Sequence, residues 1–250
     1  MNDLLVLDAI TKRIGGVEIN RSVTVALRPG ERRALIGPNG AGKTTLFNIA
    51  AGLTRPTEGR ILLDGRDVTR LPAYRRARRG LARTFQITNL LAAMTVAENV
   101  AMAVQSDSWH RYDGLRRWRS ARALWRRVDD LLDQARLVGV RDVPVRELPY
   151  GQQRRLEVIV AAARPSSVIL LDEPGAGLTS EETEELMTLV FGLGDDLAVM
   201  FIDHDVELAL RLATRVTVLN LGQVVAEGTP AQVRSSGVLD EIYLGRRDHA

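Results

Sequence analysis

The chain has 250 residues, 45% of them apolar and 26% charged, enough to bury one large core without covalent staples. Disordered, collagen-like and disulfide-scaffold classes are excluded, and the absence of cysteine also removes thiol catalysis and cysteine-ligated metal. The formal charge is only +3; all 34 basic residues except Lys12 and Lys43 are arginine, which lifts the isoelectric point to 9.7 without making a nucleic-acid footprint.

Met1-Asn2-Asp3 has no basic segment ahead of an apolar run, and no apolar stretch approaches the roughly 18 residues of a membrane span. The expectation is a cytoplasmic protein that reaches a membrane only through a partner.

The first third reads as short strands over 4–10, 23–27 and 33–36, broken at Gly15-Gly16 and Pro29-Gly30. Residues 61–63 followed by Asp64-Gly65 predict a hairpin, and a helix is predicted over 42–51. Thr95 and Glu98 fit a capping box ahead of an apolar run to Val104. From 115 to 137, Leu115, Trp118, Leu124, Val128, Leu131, Leu132 and Ala135 recur at helical spacing with arginines between them. A further helix is predicted over 152–163. Then strands (168–171, 197–202, 216–219) alternate with helices (181–190, 206–212), which predicts an α/β fold with a parallel sheet. There is no internal repeat, linker or low-complexity segment.

The strongest chemical signal is Gly37-Pro38-Asn39-Gly40-Ala41-Gly42-Lys43-Thr44. It fits G-x-x-x-x-G-K-[ST] in full and falls between a predicted strand and a predicted helix. The glycines allow a tight loop whose N–H groups face phosphates, and the helix N-terminus adds partial positive charge. Lys43 reaches β/γ-phosphates; the Thr44 hydroxyl suits Mg2+. Residues 168–171 run into Asp172 and Glu173: the first is placed to hold Mg2+, directly or through water, the second to polarise an attacking water. His204 follows a strand, one βαβ unit beyond Glu173, and reads either as structural or as a γ-phosphate sensor. Gln86 ends another short strand, where a neutral side chain could ligate Mg2+ or position water. At Tyr150-Gly151-Gln152 a helix begins whose N-terminus could take a second anion. A second phosphate-binding terminus makes sense if two chains sandwich the nucleotide.

Together these residues resemble the ATP-binding subunit of ABC transporters along essentially the whole chain. Residues 37–44, with Thr45, look like the Walker A loop and 169–173 like the Walker B strand. Gln86 looks like the Q-loop glutamine, His204 like the switch histidine, and 150–154 like the ABC signature. Tyr150, the Arg83-Thr84-Phe85-Gln86 run, Gly228-Thr229-Pro230 and Tyr243-Leu244-Gly245 are similar to branched-chain amino acid importers, with urea and short-amide importers close behind.

The resemblance implies a single ABC domain, residues 1–250, built on a RecA-like P-loop NTPase core with an antiparallel β-subdomain (about 1–86 and 165–250). A helical subdomain carrying the signature (about 87–164) would be inserted in it. It also implies ATP and Mg2+ as cofactors, with Mg2+ at Thr44, Gln86 and, through water, Asp172. Glu173 would be the general base and His204 the γ-phosphate contact. The implied partners are a second ATPase subunit of a different chain, two transmembrane permease subunits and, indirectly, a substrate-binding protein. No nucleic acid is expected, and the chain would sit on the inner face of the membrane.

Three positions depart from the family pattern. Ile14 stands where an aromatic ring usually stacks on adenine, Pro149 replaces the signature serine, and Thr179 replaces an Asp or Asn. The last two would act across the dimer and weaken one of its two sites, so a binding-only subunit stays open beside an active ATPase. The arginine-rich helix within 111–136 reads as a solvated face over a packed apolar one, with anionic lipid as the alternative. Trp109, Trp118 and Trp125 read as core or partner contacts.

Overall fold

The computed structural model describes residues 3–84, 90–105, 122–163 and 166–243. Gln86, Trp109 and Trp118 lie outside the described residues.

Strands β1 (Leu5–Ile14), β2 (Val17–Leu27), β4 (Glu58–Leu63) and β5 (Arg66–Asp67) form an antiparallel sheet in the order β2-β1-β4-β5. β1 and β2 run longer than the sequence reading, because Gly15 and Gly16 make a hairpin turn at positive φ rather than a chain break. The β4–β5 hairpin turns on Asp64-Gly65 as expected.

The second sheet holds β3 (Arg32–Ile36), β6 (Leu81–Thr84), β7 (Val168–Asp172), β8 (Ala198–Ile202), β9 (Arg215–Asn220) and β10 (Gln223–Gly228), in the order β10-β9-β3-β8-β7-β6. All neighbours pair in parallel except β10, which returns antiparallel beside β9. β7 and β8 are buried at every residue, as expected of strands covered on both faces.

Alternation along these strands feeds two cores. Val168, Leu170, Met200 and Ile202 point to one side, where helix α1 (Lys43–Ala51) lies between this sheet and the antiparallel one. Ile169, Leu171, Val199 and Phe201 point to the other. There they meet α6 (Ser180–Phe191) and α7 (Val206–Leu212).

A third cluster is helical. It joins α3 (Val96–Gln105), α4 (Arg122–Gln134) and α5 (Tyr150–Ala162) through Val100, Val128, Leu131, Leu132, Leu156 and Ile159. The Thr95–Glu98 capping box forms in both directions at 3.0 and 3.2 Å. The described part of the arginine-rich helix buries its apolar stripe as the spacing predicted, and Trp125 packs under the Arg141 guanidinium. α5 ties the lobes together: Val158 enters the sheet core while Leu156 and Ile159 enter the helical one. Short helices α2 (Ala73–Ala77), α8 (Pro230–Ser235) and α9 (Val238–Tyr243) complete the described chain.

Candidate active site

In the parallel register Leu171 pairs with Phe201 and Ala34 with Phe201, so β3, β7 and β8 end at one edge of the sheet. Residues 37–45, Asp172-Glu173 and His204 all follow those ends, in the crevice where open α/β sheets bind ligands.

The loop after β3 is shaped by its surroundings. A Cβ on Gly37 would lie 2.0 Å from the Leu219 carbonyl oxygen, and one on Gly42 2.6 Å from the Asn20 amide. Both glycines hold positive φ, so no side chain fits sterically or conformationally. Asn20, fully buried on β2, donates to the Gly42 carbonyl at 3.2 Å. The Gly222 N–H donates to the Ala41 carbonyl at 3.1 Å. The Tyr243 hydroxyl accepts from the Gly37 N–H, and burial pushes its pKa up.

Gly42 caps α1 without a side-chain hydrogen bond, and no acidic residue occupies the first turn. The first N–H groups of α1 are therefore left for an anion. Lys43 folds back over the loop, donating to the Gly37 and Pro38 carbonyls at 2.6 and 3.0 Å. Burial lowers its pKa, while the charges of Glu173 and Asp172 work the other way. Both carboxylates thus face the lysine across the crevice.

Asp172 is buried. Its Oδ2 accepts from Arg83 Nη2 at 2.8 Å, whereas its Oδ1 has no partner among the described residues. A buried carboxylate oxygen left bare is costly. Asp172 and the Thr44 hydroxyl are oxygen donors of the kind that would hold Mg2+, a hard cation that takes such ligands.

Glu173 sits in the left-handed region at φ 50°, a strained setting for a side-chain-bearing residue. Its backbone is held there by hydrogen bonds, one of them from the Ala176 N–H to its carbonyl at 3.1 Å. Its N–H donates to the Ile202 carbonyl at 3.0 Å, and its carbonyl accepts from Arg154 Nη2 at 3.1 Å. The carboxylate then meets His204 Nε2 at 2.7 Å. The imidazole is 59% exposed and the carboxylate 25%, so the pair opens toward solvent at the crevice mouth.

Arg154 is buried beside Glu157, 2.8 Å away, and burial pushes the Glu157 carboxyl up. The helix carrying Tyr150, Gly151 and Gln152 is thereby anchored to the backbone of Glu173. It begins at Tyr150, two residues earlier than its periodicity suggested, with Pro149 as N-cap and no side-chain cap bond. Tyr150 lies over the next loop, its hydroxyl donating to the Ala176 carbonyl at 2.9 Å. Among the described residues no hydrogen bond joins 150–152 to residues 37–45. Thr179 forms a full capping box with Glu182 at the start of α6, the task an Asp or Asn performs equally well. Ile14 is exposed at the tip of the β1–β2 hairpin.

Sequence reasoning missed Asn20, Arg83 and Arg154 as supports of the site. An arginine within a short strand, as in Leu81-Ala82-Arg83-Thr84, was the available signal for one of them.

A P-loop nucleotide-binding core is defined by this fold and site. The ABC transporter family model matches residues 20–176. The chain is 35% identical to the high-affinity branched-chain amino acid transport ATP-binding protein BraF of Pseudomonas aeruginosa, over 97% of this chain and 98% of that one. It is 37% identical to the corresponding protein LivG of Escherichia coli K12, with the same coverage. Among solved structures, the ADP conformation of MJ1267, an ATP-binding cassette of an ABC transporter, superposes with a TM-score of 0.83 at 25% identity, covering 98% of this chain and 100% of that one. The chain belongs to the ABC transporter family; it is an ATP-binding cassette and ATPase of that family.

Proposed function

We propose that this chain is the ATP-hydrolysing subunit of an importer for branched-chain or similar small amino acids. The likeness in sequence to BraF and LivG over nearly the whole chain carries the cargo class. The Glu173–His204 contact carries the hydrolytic role. The chain would work against a second ATPase subunit and beneath two permease subunits fed by a substrate-binding protein, on the inner face of the membrane. No helix among the described residues is long and apolar enough to cross it.

ATP would lie with its phosphates on the 37–45 loop, taking the N–H groups of α1 and displacing Lys43 from the loop carbonyls onto the β/γ-phosphates. Mg2+, when bound, offsets charge on the β- and γ-phosphate oxygens; Thr44, Asp172 and Gln86 are the residues to hold it. Glu173 accepts the proton of the attacking water, and its carboxylate is oriented by His204, which also reaches toward the γ-phosphate. The partner's signature helix closes over the nucleotide and excludes solvent, and hydrolysis lets the pair open.

Light scattering of Glu173→Gln with and without Mg-ATP tests this reading. An ATP-dependent dimer is expected if the chain can close on itself. A monomer that binds ATP assigns closure to a different ATPase partner. Failure to bind ATP overturns the proposal. Pro149 offers no hydroxyl to a phosphate across the dimer, and such a charge-assisted bond is worth about 1.5–3 kcal/mol. Pro149→Ser should therefore tighten ATP-dependent association about tenfold or more; an unchanged association constant would remove Pro149 as a source of asymmetry.

A further inference from the structure

Arg83 has no role in the mechanism above, yet its side chain is only 9% exposed and lies against the 4% exposed Asp172. Nη2 donates to Asp172 Oδ2 at 2.8 Å. Nη1 donates to Asn48 Oδ1 at 2.7 Å. Asn48 lies on α1 four residues after Thr44, and residues four apart share a helix face. The guanidinium on β6 therefore spans from the helix that carries Thr44 to the strand end that carries Asp172. Its planar fork fixes both distances at once, which a flexible ammonium does not.

We infer that Arg83 and Asn48 form a positioning bridge that sets the spacing between Thr44 and Asp172, and so the fit of the Mg2+–nucleotide complex. The bridge rests on the reading of Thr44 and Asp172 as the Mg2+ side of the site. With Oδ2 committed to Arg83, the Asp172 carboxylate cannot turn, and the buried, unpartnered Oδ1 keeps a fixed position. Without the bridge the carboxylate is free to rotate and α1 to shift along the sheet. Loss of groups that orient a metal ligand without touching the metal costs about 10–100-fold in affinity.

The test is the ratio of ADP dissociation constants in EDTA and in Mg2+, measured by calorimetry on the full chain. This needs no turnover. Asn48→Ala removes one arm of the bridge without changing charge and should lower the Mg2+ enhancement about tenfold, leaving ADP affinity in EDTA near wild type. Arg83→Lys should fall with it, because an ammonium keeps the charge but not the fork. The double variant should be no worse than either single, as for groups acting as one unit.

Three results would overturn the inference. An Asn48→Ala ratio equal to wild type would mean that Arg83 acts by charge alone. A raised ratio in Arg83→Met would mean that the guanidinium competes with the cation rather than seating it. Asp172→Asn serves as the control: if it too leaves the ratio unchanged, the assignment of Asp172 to Mg2+ fails, and the bridge fails with it. Melting temperatures of all variants without nucleotide separate a folding defect, which would weaken ADP binding in EDTA as well.

Discussion

Glu173→Gln should slow ATP turnover roughly 10²–10⁴-fold, the range lost when a positioned general base is removed. His204→Ala should fall in the same range, and the double variant should be little worse than either single. The reason is the 2.7 Å contact between His204 Nε2 and Glu173 Oε1. Glu173 is held by its backbone in a strained left-handed conformation, but its carboxylate is oriented by the imidazole. Removing either partner breaks this contact, and residues acting as a unit are grossly non-additive. Single-turnover kinetics of the three variants, in the assembly that hydrolyses ATP, checks this. If the two losses multiply, the residues act independently, and His204 contributes only through the γ-phosphate. ATP affinity should change far less than turnover, because the N–H groups proposed to bind phosphate belong to α1 and the loop before it, which neither substitution touches.

The parts of this site that could be read from sequence are those whose chemistry depends on local spacing. Residues 37–44 specify their own loop, since Gly37 and Gly42 admit no Cβ and Lys43 must follow immediately. Asp172 and Glu173 were legible because the four apolar residues before them, Val168 to Leu171, form a strand that is buried on both faces. The supports were not legible because they come from far along the chain and act through backbone groups. Asn20 braces Gly42 from another sheet. Arg154 was read only as part of the signature run, but it holds the Glu173 carbonyl. Strand β10 was missed for a different reason. Its hairpin turns on Leu221 and Gly222, both at positive φ, and leucine carries no turn signal although it takes the place usually given to Asn or Asp. Thr179 departs from the family pattern, yet as N-cap of α6 it supplies the capping bond that an Asp or Asn would also supply.

The second large effect is on stability. Arg33, on the central strand β3, is 2% exposed and ties three elements together. Its Nε pairs with Glu31 at 2.5 Å, and its Nη1 reaches Glu227 on β10 at 2.8 Å and Thr217 on β9 at 2.9 Å. Arg33→Met should destabilise the fold by about 3–5 kcal/mol, because Glu31 is left as an uncompensated buried charge. Glu31→Met with Arg33→Met should recover much of that loss, since a well-packed apolar pair of similar volume is often no worse than a buried ion pair. Urea unfolding of both variants checks the order; equal losses would mean that the pair itself, and not the stranded carboxylate, supplies the energy. The network also sets an acid limit. Burial works against the ionised form of Glu227, but Arg33 and Arg215 outweigh it and hold the carboxyl below its ordinary value of 4.5. The unfolded chain therefore binds the proton at higher pH than the folded one. The stability that Glu227 contributes is complete above 4.5 and is lost as the pH falls through the depressed folded value. Glu227→Gln should flatten the unfolding midpoint across that window, and Arg33→Met should move the loss toward higher pH, because Glu227 then keeps only Arg215 at 3.2 Å to offset its burial.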